Sequence, residues 1–258
     1  FASWSIAWGV MCEILYMPCA VALYRERAKS CYRVMLWLAF VDCVALMLNS
    51  IIFGIIIICG LVFCSLPWFM WIVGASGLGV WCGACFGCLL LVSFRLFELL
   101  NVSRRFEAHT NRILCIATCY GLYFALFTPA PLANANHMSF FFDPFIDDVP
   151  MKQFVNWPHT FNNLLLVLST VTLYALLCVV VVYQQKAMPS EGRKAMVSVN
   201  TSLFIQASLI CVFNLTASLE YIYMNFFAAP RVFILIGQIS FQIAHGEYNL
   251  INLVTTHI

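Results

Sequence analysis

Charge is what this sequence has least of. Only 9% of its 258 residues are Asp, Glu, Lys or Arg, against 63% apolar or aromatic, where soluble domains carry roughly 25% charged residues. A chain of this length has no way to hide so much apolar surface in water, so the composition excludes a soluble domain and defines a polytopic membrane protein. The net charge is only +2, which leaves nucleic acid no electrostatic footprint to recognise. Histidine is scarce too: of five, only His245 falls well inside an apolar run, so a metal-dependent membrane enzyme lacks its ligands. No cofactor is expected. No cleavable signal peptide is visible, and the first apolar run is expected to act as the insertion signal. The chain opens at Phe1 and closes inside an apolar run at Ile258, which reads as a fragment.

A bilayer span needs about 20 mainly apolar residues. Seven runs qualify, roughly 2–24, 34–62, 68–97, 113–133, 161–183, 198–222 and 232–257. They predict an all-α fold, one seven-helix transmembrane domain over 1–258 without internal repeats. The basic residues orient it. Loops 1–2, 3–4 and 5–6, with the adjoining helix ends, hold 11 of the 13 Lys and Arg, and the opposite loops hold only Lys152 and Arg231. Cytoplasmic loops are enriched in Lys and Arg, so the N-terminus is expected outside and the C-terminus inside.

The stretch "SGLGVWCGACFGC" (76–88) has two superficial readings as a site. An iron–sulfur centre at C-x-x-C-x-x-C spacing wants a fourth cysteine, typically followed by Pro, and "LLLV" follows instead. A phosphate loop wants a Lys and a helix start facing water, and both are missing. Within a span, Gly79, Gly83 and Gly87 make a smooth strip for close helix approach. The 13 cysteines lie almost entirely in apolar runs, where they act as small hydrophobes.

Ionisable groups inside spans are costly and mark functional candidates. At about 1.5 Å per residue, Glu13 lies ~18 Å from Arg25, Asp42 ~13 Å from Arg33 and His245 ~21 Å from Arg231. All three then fall between the midplane and the inner third of a core about 30 Å thick. Glu13, Asp42, Asn49, His245 and Asn249 are expected to form one polar cluster joining spans 1, 2 and 7; static hydrogen-bonded glue is the alternative. Glu220 falls near the outer face beside Tyr221 and Tyr223. The outer segment 134–160 is rich in Phe and fits either a lid over a pocket or an interfacial aromatic belt. The sequons at Asn101, Asn200 and Asn214 fall in an inner loop or within span 6, so none is expected to carry glycan.

Seven spans with the N-terminus outside resemble the plan of G-protein-coupled receptors, and "LAFVD" (38–42) is similar to the helix-2 Leu-Ala-x-x-Asp of the rhodopsin-like family. A closer resemblance, over nearly the whole chain, is to the nematode chemoreceptors of serpentine receptor class T. It is carried by "GVMCEILYMPC", "SCYRVMLWLAFVDCVALMLNSIIFG", Cys64 and Pro67, "FFDP", "FNN", "IQASLIC", "EYIYMNFFAAP" and "GQISFQIAHG" in that order. The resemblance implies a chemosensory receptor in the plasma membrane of sensory neurons. Its partners would be a small-molecule or peptide chemical ligand, membrane lipid and a heterotrimeric G protein. By position Asp42 matches the helix-2 acid that can hold sodium, and Arg95 matches the helix-3 arginine facing the G protein. Three features depart from the rhodopsin-like pattern. No acidic residue stands beside Arg95, segment 134–160 has no cysteine to pair with Cys64, and span 7 has no Asn-Pro-x-x-Tyr.

A retinal protein would need a lysine in its last span, and 232–257 has none. A transporter or channel remains the alternative, although its usual internal symmetry is missing. As a receptor, the chain would take its ligand between spans 3, 5, 6 and 7, near Trp68, Trp71, Asn162, Asn163, Glu220, Tyr221 and Gln238. Its inner face would present Arg95, Arg104, Arg105 and Arg193 to the G protein.

Overall fold

The computed structural model describes residues 1–100, 107–145, 151–187 and 212–255. Arg104, Arg105, Arg193, residues 198–211 of the sixth expected span and the side chain of Asn249 lie outside the described residues. The chain forms helix α1 (Ala2–Arg25), α2 (Ser30–Leu46), a π-helical stretch (Met47–Ile52) and α3 (Phe53–Ile58). Helices α4 (Pro67–Leu99) and α5 (Thr110–Phe127), strands β1 (Leu132–Asn134) and β2 (Ser139–Phe141), and a 3-10 turn (Met151–Phe154) follow. Then come α6 (Trp157–Ala187), α7 (212–226) and α8 (Arg231–Thr255). Helix α4 occupies the centre, touching α2, α5, α6 and β1.

Five helical stretches among the described residues are long and apolar enough to cross a membrane: Ala2–Arg25, Ser30–Ile58, Pro67–Phe97, Thr110–Phe127 and Trp157–Tyr183. Their outward faces are aliphatic and aromatic, as at Met17 (71% exposed), Val179 (65%) and Phe127 (75%). Polar side chains such as Ser5, Asn49, Asn163, Gln238 and Gln242 are buried instead. This inverts the pattern of a soluble bundle, because lipid offers a polar group no partner. Helix α8 shows the inversion best. Gln238, Gln242 and His245 recur at helical spacing and form a buried polar stripe.

Close approach at the centre depends on missing side chains. A Cβ on Gly79 would lie 2.9 Å from the Ala125 Cβ, and one on Gly121 would lie 2.7 Å from the Gly79 carbonyl. The α4–α5 contact therefore requires glycine on both helices, the small-residue packing of membrane helices. Gly87 lies against α2, where a Cβ would meet Trp37 at 2.7 Å. The glycine strip thus serves two neighbours, and Cys82 and Cys85 sit in the apolar cluster with Leu78, Trp81 and Phe124.

Two local departures from the expected elements have identifiable causes. Pro129 and Pro131 end α5 at Phe127, short of residue 133, because proline removes a backbone donor. The residues beyond turn back as an antiparallel hairpin pairing Leu132 with Phe141 and Asn134 with Ser139. Its turn is built by Asn134, whose Oδ1 accepts from the backbone N–H of Asn136 (2.9 Å) and His137 (3.3 Å), the usual Asx arrangement. Helix α6 begins at Trp157, ahead of residue 161, because Asn156 caps it. Asn156 Oδ1 accepts from the His159 N–H at 2.9 Å, and its Nδ2 donates to the Pro129 carbonyl at 2.8 Å. One N-cap both starts α6 and ties it to the end of α5.

Candidate functional site

The hairpin closes one end of the bundle. Pro131 lies against Gly74 of α4, so closely that any side chain there would collide with the Pro131 carbonyl. Phe140 stacks on Phe53 with ring centroids 4.8 Å apart, and Phe142 packs on His159 at 5.1 Å. Beneath them is a cavity of about 30 Å³, walled by Gly77, Trp81, Phe140, Phe142, Tyr221 and Phe241 and bordered by Asn49 and His159. The segment's aromatics thus divide. Phe140 and Phe142 turn in, while Phe145, Trp157 and Phe161 remain exposed.

A hydrogen-bonded asparagine pair backs this cavity. Tyr120 donates to Asn162 Oδ1 at 2.8 Å, Asn162 Nδ2 donates to Asn163 Oδ1 at 3.1 Å, and Trp81 Nε1 donates to that same oxygen at 3.0 Å. On the opposite wall, the π stretch of the second span leaves the Asn49 carbonyl open to partners from α8. Gln242 Nε2 donates to it at 2.6 Å and Gln238 Nε2 lies at 3.4 Å. Gln242 Nε2 also reaches Ser5 Oγ at 2.7 Å, so this one side chain ties α8 to α1 and to the π stretch. π-helical insertions are frequent at functional sites, and this one turns a backbone acceptor into the bundle.

Deeper, three helices meet at Asp42. His245 Nδ1 lies 2.7 Å from Asp42 Oδ1, and the Tyr16 hydroxyl donates to Asp42 Oδ2 at 3.0 Å. The same hydroxyl lies 2.8 Å from the His245 carbonyl. Asp42 and His245 are 6% and 3% exposed, so the pair is desolvated. They border a second cavity of about 50 Å³ that also reaches Thr170 and Asn214. Two aromatics of the first cavity reach the His245 that borders the second. Trp81 and Phe241 wall the first, and their rings contact the His245 imidazole at 5.9 and 4.8 Å.

Of the five residues expected to cluster, the structure brings Asp42 and His245 into contact. Asn49 belongs to the glutamine network nearer the hairpin. Glu13 is half-buried and hydrogen-bonds Cys43, because the inward face of α1 runs through Ser5, Cys12 and Tyr16 and leaves Glu13 one step aside. Among the residues expected around a ligand, Tyr221 walls the first cavity and Asn162, Asn163 and Gln238 support it from behind. Trp68 and Trp71 do not approach it. They share a face of α4 that looks outward, 79% and 42% exposed, while Met70, Val73 and Trp81 face inward. Glu220 is buried, but its carboxylate rests on Gly237 of α8 rather than in the cavity.

Arg95 is half-buried near the far end of α4. Arg33 of α2 donates to Asn111 Oδ1 of α5 at 3.0 Å and to the Glu107 carbonyl at 3.1 Å, which ties α2 to the start of α5. The sequence reading missed Tyr16, Trp81, His159 and Gln242. Gln242 was findable, since it completes the helical spacing Gln238–Gln242–His245 on one face.

Both Asp42 oxygens are engaged by side chains of this protein. Sodium at Asp42 would have to share these oxygens with the imidazole and the Tyr16 hydroxyl, using the lone pairs that they leave. Among the described residues, no group of three His, Cys, Asp or Glu side chains is placed to hold a metal.

A helical bundle with polar side chains inside and lipid-compatible ones outside is a multi-pass membrane protein, and its serpentine plan is that of a receptor class. The profile of the Serpentine type 7TM GPCR chemoreceptor Srt family matches residues 1–257, and the chain belongs to that family. Serpentine receptor class T-55 of Caenorhabditis elegans is 21% identical over 222 residues, a match covering 85% of this chain and 60% of the relative. The chain thus spans about three fifths of the length of that curated relative.

Proposed function

We propose that this protein is a chemosensory receptor of the plasma membrane, with the N-terminus outside and the C-terminus inside. It admits a small external molecule to the cavity beneath the hairpin and signals to a heterotrimeric G protein. The observation that carries this reading is the sharing of Trp81 and Phe241 between that cavity and the Asp42–His245 pair. A molecule that moves either ring also moves the contact joining the first, second and seventh spans. Only a ligand that prefers one arrangement shifts the population, and these rings are where such a preference would act. The basic end, with Arg95, Arg104, Arg105 and Arg193, is the G-protein side. The orientation rests on the distribution of Lys and Arg.

Topology in intact cells tests the reading without a ligand. One epitope is inserted at Asp147 and, separately, another at Pro189. Labelling of the Asp147 tag alone before permeabilisation is expected. Labelling of the Pro189 tag instead inverts the orientation and removes the receptor reading.

A further inference from the structure

The hydrogen-bond polarity behind the cavity is fixed by one indole. Trp81 Nε1 can only donate, so the oxygen of Asn163 faces Trp81 and its Nδ2 faces His159 Nε2 at 3.3 Å. The Asn163 Nδ2 offers only protons, so His159 Nε2 must supply a lone pair and the ring carries its proton on Nδ1. A doubly protonated ring would set two donors against each other, and Nδ1 would still be a donor. That Nδ1–H has no acceptor, although His159 is 3% exposed. Buried polar atoms are nearly always paired. His159 borders the cavity, and so does Asn49, whose Nδ2 is also buried without a partner.

The rest of the wall is aromatic or aliphatic, with no charged side chain among the described residues that line it. Glu220, the nearby buried carboxylate, is turned against Gly237. We infer that the cavity takes a small uncharged molecule presenting a hydrogen-bond acceptor, a ketone or ester carbonyl above all, to His159 Nδ1–H; this rests on the cavity being the ligand site. An ammonium would lose its hydration with no carboxylate in the wall to replace it. A hydrocarbon would leave the imidazole N–H unmet. Size is bounded too. A cavity of about 150 Å³ takes benzene, and this one is about 30 Å³. A molecule with as many heavy atoms as benzene therefore enters as Phe140 and Phe142 move outward with the hairpin.

The test uses three matched probes, cyclopentanone, cyclopentane and cyclopentylammonium chloride, titrated against the thermal midpoint of the purified full chain in detergent. Cyclopentanone is expected to stabilise the wild type with an affinity about tenfold above cyclopentane, the scale of one hydrogen bond. The ammonium salt is expected to give no shift. His159→Phe should abolish the ketone's advantage and His159→Gln, which restores an N–H, should recover it; each variant's unliganded midpoint reports its folding. Equal or better binding of the ammonium overturns the inference, as does a ketone advantage that survives His159→Phe, or silence of all three probes. Gly77→Val, which fills the cavity, separates the two failures. If the ammonium binds the wild type but not Gly77→Val, the ligand chemistry is wrong and the cavity stands. Probe binding that is unchanged in Gly77→Val removes the cavity reading as well.

Discussion

Asp42 and His245, 203 residues apart in the chain, meet at 2.7 Å in the middle of the bundle. Breaking such a buried pair on one side costs about 3–5 kcal/mol, whereas replacing both partners with apolar groups of similar volume is often neutral. Asp42→Leu and His245→Phe are each expected to destabilise the protein on that scale. The double variant should recover most of the loss, and unfolding by SDS in mixed micelles measures all three. Additive losses would mean that the two side chains act independently.

Tyr16 makes the pair a three-helix junction. Its hydroxyl touches Asp42 Oδ2 and the His245 carbonyl, and the ring is 2% exposed. Tyr16→Phe keeps the ring and removes the hydroxyl's bonds, so a loss of about 2 kcal/mol is expected. The same substitution placed on Asp42→Leu should cost less than half as much, because one of its acceptors has gone. Equal costs in the two backgrounds would assign the hydroxyl's contribution to the carbonyl alone.

Glu220 and Gly237 form a second test of burial. The carboxylate lies where a side chain on Gly237 would begin, so Gly237→Ala forces helices α7 and α8 apart or expels Glu220. Overpacking of this kind costs about 1–3 kcal/mol. Combining Gly237→Ala with Glu220→Ala should relieve it, and thermal midpoints in detergent report the difference. A Gly237→Ala protein as stable as the wild type would show that the carboxylate does not occupy that space.

The bundle was legible because lipid imposes a long-range rule, about 20 apolar residues per crossing, that no local feature overrides. The Asp42–His245 contact was legible for the same reason, since rare ionisable residues at one depth find one another. Helix phase decided the rest. Trp68 and Trp71 have the composition of ligand contacts, but they lie on the wrong side of α4, and Trp81 is the one that faces inward. The π stretch at Met47–Ile52 and the return of the chain after Pro131 depend on contacts with distant helices, so no periodicity announced them. His159 was invisible in another way: its importance lies in a missing acceptor, which only the arrangement of Trp81 and Asn163 reveals.

The position of His245 also bears on ions. In the resemblance to rhodopsin-like receptors, the acid at position 42 can hold sodium, yet here His245 Nδ1 lies 2.7 Å from Oδ1. Each carboxylate oxygen has a second lone pair, but a donor already seated at 2.7 Å leaves a cation less to gain at Oδ1. Exchanging sodium chloride for N-methylglucamine chloride at fixed ionic strength is therefore expected to leave the wild-type thermal midpoint unchanged. His245→Ala vacates the site and should gain a sodium-dependent stabilisation that grows with concentration, as any ligand binding only the folded state must produce. That gain should vanish when Asp42→Asn is added. A sodium effect in the wild type that Asp42→Asn removes would instead mean that the ion reaches Asp42 despite His245.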